Sequence, residues 1–314
     1  MKYAVFSDIH GNYPALRAAL DDAALQGVDQ YLFIGDYYRS LPWPNETVDA
    51  IRAIPSAIVI QGNGEGYIPG LLGRIHDKKI PEQYKLICWS IKEFTQTNLD
   101  YLMSLPQTAV MENNGIPIHL HHGLHVFFRK PKLLPFHSSY YRNRMETEPF
   151  THDEYLAFAK EAVLSHPGAV ADLRALPQGV HLFGHNHLQF HMEFEGRLIV
   201  NPGSCGEPCD HDIRAAYTIL ERSADGWTVD ERRVPYDVDA AVRAMRDSDF
   251  AAYAPVWARV IELDITTGKD YFSPFIQHIH ATGQRLGKVS EPVADDVWQT
   301  AVETWEPEKL YAYD

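Results

Sequence analysis

Short apolar runs recur along the N-terminal part of the chain, and each one stops at a glycine or a polar residue. Runs of this length and boundary are typical of strands buried within a sheet. Helical periodicity lies between the first runs, for example over residues 14–26, so strands and helices alternate. The alternation predicts right-handed strand–helix–strand units and an α/β fold. The runs cover residues 3–6, 31–34, 57–60, 116–120 and 180–183.

Each run is followed directly by residue types that bind metal ions. Ligands in open α/β sheets gather outside the carboxyl ends of the strands, so we expect these groups to converge on one edge of the sheet. Asp, Asn and Gly are also common in ordinary turns, and any single group fits that alternative. Their recurrence after five strands favours a shared site. The groups are Asp8 with His10, Gly35-Asp36, Gly62-Asn63, His121-His122-Gly123 and Gly184-His185-Asn186-His187.

The sequence pattern changes in the later part of the chain. Alternating patterns over 189–194, 198–200, 216–220 and 227–234 predict antiparallel strands, with turns at 195–196 and 225–226. Two packed sheets are therefore expected. After residue 236 the pattern is helical. We predict a catalytic domain over 1–235 and a mainly helical C-terminal extension over 236–314. The aromatic residues of this extension fit burial against the domain, burial against a second copy in a homo-oligomer, or a cap over a substrate.

The residue types that follow the strands suit a centre with two divalent metal ions. Two such ions about 3.5–4 Å apart can activate a water and clamp the oxygens of a phosphoryl group. Asp36 suits a bridging position between the ions. Mixed His, Asp and Asn ligation favours manganese or iron, with zinc or nickel as alternatives, over calcium. We expect Asp8, His10 and His187 to complete one ion, and Asn63, His122 and His185 to complete the other.

Taken in order, these motifs resemble those of the calcineurin-like metallophosphoesterases. Ser7-Asp8-Ile9-His10-Gly11-Asn12 and Asn201-Pro202-Gly203-Ser204 are similar to a bacterial branch of small phosphodiesterases and diadenosine-tetraphosphatase-like enzymes. The resemblance covers roughly residues 1–235. It implies a four-layer αββα sandwich and a dinuclear phosphoesterase centre in which a metal-bridging hydroxide is the nucleophile. Its catalytic residues would be Asp36, Asn63 and His122, with His122 favoured over His121 because the family's ligand directly precedes a glycine.

One position departs from the family pattern. Many members carry a histidine after the motif asparagine, where it assists the leaving group or the transition state. This chain has Gly64 there, followed by Glu65. The general acid is therefore missing from its usual place. We expect Glu65 to accept hydrogen bonds that orient a metal ligand.

The substrate is expected to be a small phosphate ester or a nucleotide. The segment 124–150 carries cations and aromatic residues without an acidic residue up to position 144, so it fits either an insertion that covers the substrate or a solvated basic loop. We predict phosphodiester or nucleotide polyphosphate hydrolysis. The alternative is a non-catalytic scaffold or binding protein that keeps the fold. The predicted substrate-binding residues are Asn12, Arg39, His125, Arg129 and Lys130.

Composition excludes several other classes of partner. The formal net charge is −14, and such a surface repels long nucleic acids, which are bound through many lysine and arginine contacts. No apolar run is long enough to cross a membrane. Three cysteines do not form a secreted disulfide framework, so a reducing cytoplasm is the expected location.

Overall fold

The structure, a computed structural model, describes residues 1–55, 57–128, 151–224 and 226–311. Most of the predicted insertion over 124–150, including Arg129 and Lys130, lies outside these ranges. Asp225, from the second predicted hairpin turn, also lies outside them. The first predicted turn is present, because Glu195 and Gly196 both adopt positive φ angles between two antiparallel strands.

Ten strands form two five-stranded sheets in the described part of the chain. The first sheet has the order β10-β9-β1-β2-β3, and its strands β1, β2 and β3 are parallel. The second has the order β4-β5-β6-β8-β7, with β5, β6 and β8 parallel. The strands are β1 Lys2–Phe6, β2 Gln30–Phe33, β3 Ile58–Val59, β4 Ala109–Asn113, β5 Ile116–Leu120, β6 Gly179–Leu182, β7 Gln189–Phe194, β8 Arg197–Pro202, β9 Ala215–Ser223 and β10 Gly226–Val234.

Helices cover the outer faces of the sheets and make up most of the C-terminal region. A 3-10 turn at Glu82–Tyr84 leads directly into one of these α-helices. Further 3-10 turns lie at His125–Phe128 and Pro307–Lys309. The α-helices are α1 Tyr13–Leu25, α2 Pro44–Arg52, α3 Asn63–Leu71, α4 Lys85–Glu93, α5 Gln96–Ser104, α6 His152–Ser165, α7 Pro167–Ala175, α8 Val238–Arg246, α9 Asp249–Tyr253, α10 Pro255–Thr267, α11 Phe272–Arg285 and α12 Asp295–Thr304.

Strand alternation separates the buried apolar residues into layers. Val5 faces the second sheet and packs in a cluster with Ile118 and Val180. Its neighbours Ala4 and Phe6 point the other way, into a cluster with Leu16 of α1. The second sheet packs its outer face against α6 and α7 in a further cluster. Helix, sheet, sheet and helix therefore stack as the predicted four-layer α/β sandwich.

The sequence predicted that the ligand groups converge on one edge of a single sheet. They do converge, but the strands that carry them belong to two sheets. Strands β1, β2 and β3 belong to the first sheet, whereas β5 and β6 belong to the second. The two sheets face each other, and residues that follow strands of both sheets lie together, so the carboxyl ends of both parallel sets lie at the same end of the sandwich. The site is built across two sheets because long-range strand pairing, which the local pattern does not specify, assigns each strand to its sheet.

The C-terminal extension packs against the sandwich through its own aromatic cluster. Trp257, Phe275 and Trp298 lie at the centre of this cluster. Leu86 and Trp89 of α4 share the same core. The predicted burial of the extension's aromatic residues against the domain is therefore observed. No helix in the described ranges is both long and apolar enough to cross a membrane.

Candidate metal centre

The first group of candidate ligands joins two loops that lie far apart in sequence. Asp8 and His10 follow β1, and His187 lies between β6 and β7. Their ligand atoms all lie within 4.8 Å of one another. His10 Nε2 is 3.1 Å from His187 Nε2, and the latter is 3.5 Å from Asp8 Oδ1. Two imidazole nitrogens and a carboxylate oxygen that converge in this way form a donor set suited to a divalent cation.

The second group consists of Asp36, His122 and His185, whose ligand atoms also lie within 4.8 Å of one another. Asn63, the first residue of α3, adds a neutral oxygen, because its Oδ1 is 3.0 Å from His122 Nε2. The same nitrogen is 3.6 Å from Asp36 Oδ2. The structure therefore brings together all seven residues predicted as metal ligands, in the two groups that the sequence suggested. His122, rather than His121, joins this group.

Backbone carbonyls fix the orientation of one histidine in each group. His122 Nδ1 is 2.9 Å from the carbonyl oxygen of Ile34, and His187 Nδ1 is 2.5 Å from that of Glu207. A carbonyl can only accept, so each Nδ1 carries a proton, and in the neutral ring Nε2 is left as the nitrogen that can bind a metal ion. The rings are thus held in the tautomer that binds metal.

Each aspartate uses one oxygen to bind the backbone. Asp8 Oδ2 accepts a hydrogen bond from the amide of His185 at 2.9 Å, and Asp36 Oδ1 accepts one from the amide of Gly64 at 2.7 Å. The second oxygen of each carboxylate faces the histidines of its group. This arrangement leaves one oxygen of each aspartate for coordination. The Gly64 amide thus positions a metal ligand.

The ligand residues adopt an unusual backbone conformation. Asp8, His10, Asp36, His185 and His187 all have left-handed φ angles between 53° and 72°. Such conformations cost free energy in residues other than glycine and tend to persist where surrounding contacts enforce them, as at functional sites. The turns at these strand ends are therefore strained. This makes the alternative of ordinary turn chemistry a poor explanation for their composition.

Protonation differs between the candidate ligands. Burial lowers the pKa of His10 and of His185 to about 4 each, so both rings are neutral at pH 7. Burial also acts to lower the pKa of His187, but the Asp8 carboxylate and Glu207 together raise it to about 9. Because a metal-binding imidazole must be neutral, a cation that binds this group displaces the proton of His187.

A cavity of about 190 Å³ opens onto both groups. Glu207 lies in its wall, with Oε2 3.8 Å from His10 Nε2 and 2.8 Å from the Ser40 hydroxyl. Cys209 also lines the cavity, and its sulfur is 3.6 Å from His187 Nδ1. The other walls come partly from the C-terminal extension, which supplies Asp264, Asp270, Phe272 and Ser273.

Sequence reasoning missed these wall residues. Asp264 lies inside α10 among apolar neighbours and carries no motif. Glu207 lies between Cys205 and Cys209 in a stretch that matches no metal-binding motif. No local signal identifies either residue, because their proximity to the ligands depends on how the extension and the loop after β8 fold back.

The predicted substrate-binding residues occupy different positions. Arg39 lines the cavity, and its guanidinium carbon lies 5.0 Å from the centre of the Phe272 ring. Asn12 is buried and used internally: it caps α1 and donates to the Gly206 carbonyl and to the Tyr236 hydroxyl. His125 is exposed in its 3-10 turn. The structure thus brings Arg39 to the site and shows Asn12 in contacts within the fold.

Comparisons with known proteins agree with this architecture. Residues 1–225 match the model of the calcineurin-like phosphoesterase superfamily domain. The uncharacterized protein MJ0912 of Methanocaldococcus jannaschii is 28% identical over 256 residues, which are 76% of this chain and 89% of that protein. A metallophosphoesterase from Sphaerobacter thermophilus matches with a TM-score of 0.58 and 22% identity, covering 85% of this chain and 99% of that one. The hypothetical protein PH1004 from Pyrococcus horikoshii matches with a TM-score of 0.61 and 18% identity, covering 86% and 99%.

Proposed function

The chain belongs to the calcineurin-like phosphoesterase superfamily, and on that premise we propose that it hydrolyses phosphodiester or nucleotide polyphosphate bonds with two divalent metal ions. The observation that carries this proposal is the pair of facing ligand groups, each with one aspartate and two histidines. When bound, two such ions supply a hydroxide nucleophile and neutralise the charge of the phosphoryl oxygens. Manganese or iron is the metal we propose, because of the mixed nitrogen and oxygen donors.

The residues of the chain act by positioning. Asp8 and Asp36 each offer one free oxygen, because backbone amides hold the other. Asn63 completes the second group. Arg39 lies in the cavity wall, where its guanidinium can bind a phosphate oxygen. Position 64 supplies only a backbone amide, so the proposal assigns no protein side chain as the acid that protonates the leaving group.

The charge of the cavity favours diesters over monoesters. A phosphate monoester carries about −1.5 to −2 charges at neutral pH, and a diester carries fewer. Glu207 and Asp270 are buried in the cavity wall, where their carboxylates repel the more highly charged ester. We therefore propose a small diester or nucleotide as substrate, not a long nucleic acid. A higher kcat/KM for p-nitrophenyl phosphate than for bis-p-nitrophenyl phosphate would contradict this preference.

Alanine substitutions in the second ligand group test the metal assignment. Asp36→Ala and His185→Ala each remove a donor from this group, so we expect both variants to lose bound manganese and diester hydrolysis. His191→Ala is a matched control, because His191 is partly exposed on β7 and pairs with Glu231. Metal content is measured by elemental analysis after gel filtration. Retention of two metal ions per chain in either site variant would contradict the assignment.

A further inference from the structure

A second and larger cavity adjoins the metal centre. Its volume is about 540 Å³, within the range of cavities that hold small organic ligands. It lies between α3 and α4 of the sandwich and α10 and α11 of the C-terminal extension. Apolar and aromatic side chains make up most of its wall: Tyr67, Leu71, Tyr84, Ile87, Phe272 and Ile276.

Two residues belong to both cavities. Arg39 and Phe272 line the metal cavity and the larger one. Arg39 stacks on Phe272, with 5.0 Å between the guanidinium carbon and the ring centre, so the two cavities meet at this pair. A phosphate at the metal ligands would therefore have its ester substituent directed past this pair into the second cavity.

Polar groups of the second cavity are largely occupied by one another. The Glu291 carboxylate accepts hydrogen bonds from the Tyr84 hydroxyl and from the Gln83 amide. Trp257 donates its indole N–H to the Glu82 carbonyl. What the wall offers a ligand is therefore mainly ring faces and aliphatic surface, which suit a flat apolar group.

Two arginines add positive charge to this apolar wall. Arg39 lies at the end next to the metal centre, and Arg74 also lines the cavity. The two guanidinium groups complement an anionic ester and stack on ring systems. An uncharged hydrocarbon would use neither.

Glycines keep one side of the cavity open. Gly66 and Gly70 lie one helical turn apart on α3 and line the cavity. A Cβ atom at either position would meet no atom within 4 Å, and neither residue has a positive φ angle. The backbone therefore does not require glycine here, although glycine within a helix costs about 1 kcal/mol relative to alanine. These two glycines leave space for a ligand beside α3.

We infer that the second cavity binds a planar aromatic group carried by the ester substituent of the phosphate that lies at the metal centre, such as the base of a nucleotide. The inference rests on the proposed function for the position of the phosphate. It assigns substrate selectivity to the C-terminal extension and to the glycine side of α3.

Filling the cavity tests this inference without touching a metal ligand. Gly70→Trp places a large ring in the open space, whereas Gly73→Trp, just beyond α3, is the matched control because Gly73 also has open space around it and does not line the cavity. Binding of benzylphosphonate, butylphosphonate and methylphosphonate to the manganese-loaded protein is measured by titration calorimetry. Thermal unfolding confirms that both variants fold.

We expect the unmodified protein to bind benzylphosphonate about tenfold more tightly than methylphosphonate, a difference of about 1.4 kcal/mol. Gly70→Trp should abolish this preference and leave methylphosphonate binding unchanged, while Gly73→Trp keeps it. Butylphosphonate binding as tight as that of benzylphosphonate, or an aryl preference that survives Gly70→Trp, would overturn the inference. Equal binding of the three ligands with diester hydrolysis intact overturns the inference alone. An aryl preference without any hydrolysis overturns only the proposed function.

Discussion

Glu65→Gln is the substitution that best tests how the metal-binding loops are held in place. The Glu65 side chain is fully buried and accepts three backbone hydrogen bonds. Oε2 accepts from the amides of Asp36 at 3.0 Å and Gly62 at 2.7 Å, and Oε1 accepts from that of Tyr37 at 3.0 Å. One carboxylate thus joins the loop after β2, which carries a metal ligand, to the turn that precedes Asn63.

The stability that Glu65→Gln is expected to lose follows from the number of hydrogen-bond acceptors that the substitution removes. A glutamine can keep its oxygen at the position that serves two amides, but its NH₂ group then faces the Tyr37 N–H and leaves a buried donor unsatisfied. Such a group costs about 1–3 kcal/mol. Burial and the nearby Asp36 carboxylate raise the pKa of Glu65 to about 7, so loss of its charge offsets part of this cost. A net loss of about 2 kcal/mol corresponds to a fall in Tm of roughly 3 °C for a chain of 314 residues.

Calorimetric unfolding of the metal-free protein measures this change, and competition with a chelator measures manganese affinity. We expect the affinity to fall by about 10–100-fold, because a residue that orients a ligand has been altered. Glu112→Gln is the control, since Glu112 is exposed on β4 and such substitutions change stability by about 0.5 kcal/mol or less. If Glu65→Gln matches this control in both measurements, the proposed role of Glu65 is wrong.

Two further predictions concern other parts of the sandwich. A Cβ at Gly184 would lie 1.9 Å from the Ser7 hydroxyl and 2.5 Å from Asp8 Oδ2. Gly184→Ala should therefore displace Asp8, lower the free energy of unfolding by about 1–3 kcal/mol and lower the metal content. A full complement of metal in this variant would count against the prediction. Burial lowers the pKa of His181 to about 4 while its ring donates to the Pro177 carbonyl. The unfolded chain then binds more protons below about pH 6.5, the ordinary pKa of histidine. The free energy of unfolding should fall as the pH drops below this value, and it should fall less steeply in His181→Phe. Parallel pH profiles of the two proteins would refute the attribution of this pH dependence to His181.

The elements with strong local patterns were predicted well from the sequence. Strand β5 has the predicted bounds, and α6 begins at a local sequence signal, a capping box in which Thr151 and Glu154 bond reciprocally. The motif groups follow their strands as expected, because a short apolar run that ends in polar residues defines a strand and its exit. These signals operate over a few residues and need no knowledge of distant contacts.

Features that depend on distant contacts were not predictable in this way. The sequence does not show that β9 pairs with β1 or that β6 pairs with β8, and these pairings divide the motif strands between two sheets. The left-handed conformation of residues such as Asp8 and His185 is likewise imposed by the surrounding fold. Phe272 and Asp264 reach the cavity only because the extension packs back on the sandwich.

Turnover of a phosphodiester with controlled metal content is the most direct test of the central claim. The chain is stripped with a chelator and reconstituted with manganese, and hydrolysis of bis-p-nitrophenyl phosphate is followed before and after. The two ligand groups predict no turnover in the stripped protein and restored turnover once two manganese ions are bound per chain. Two bound ions without any diester hydrolysis would contradict the account and favour a non-catalytic scaffold.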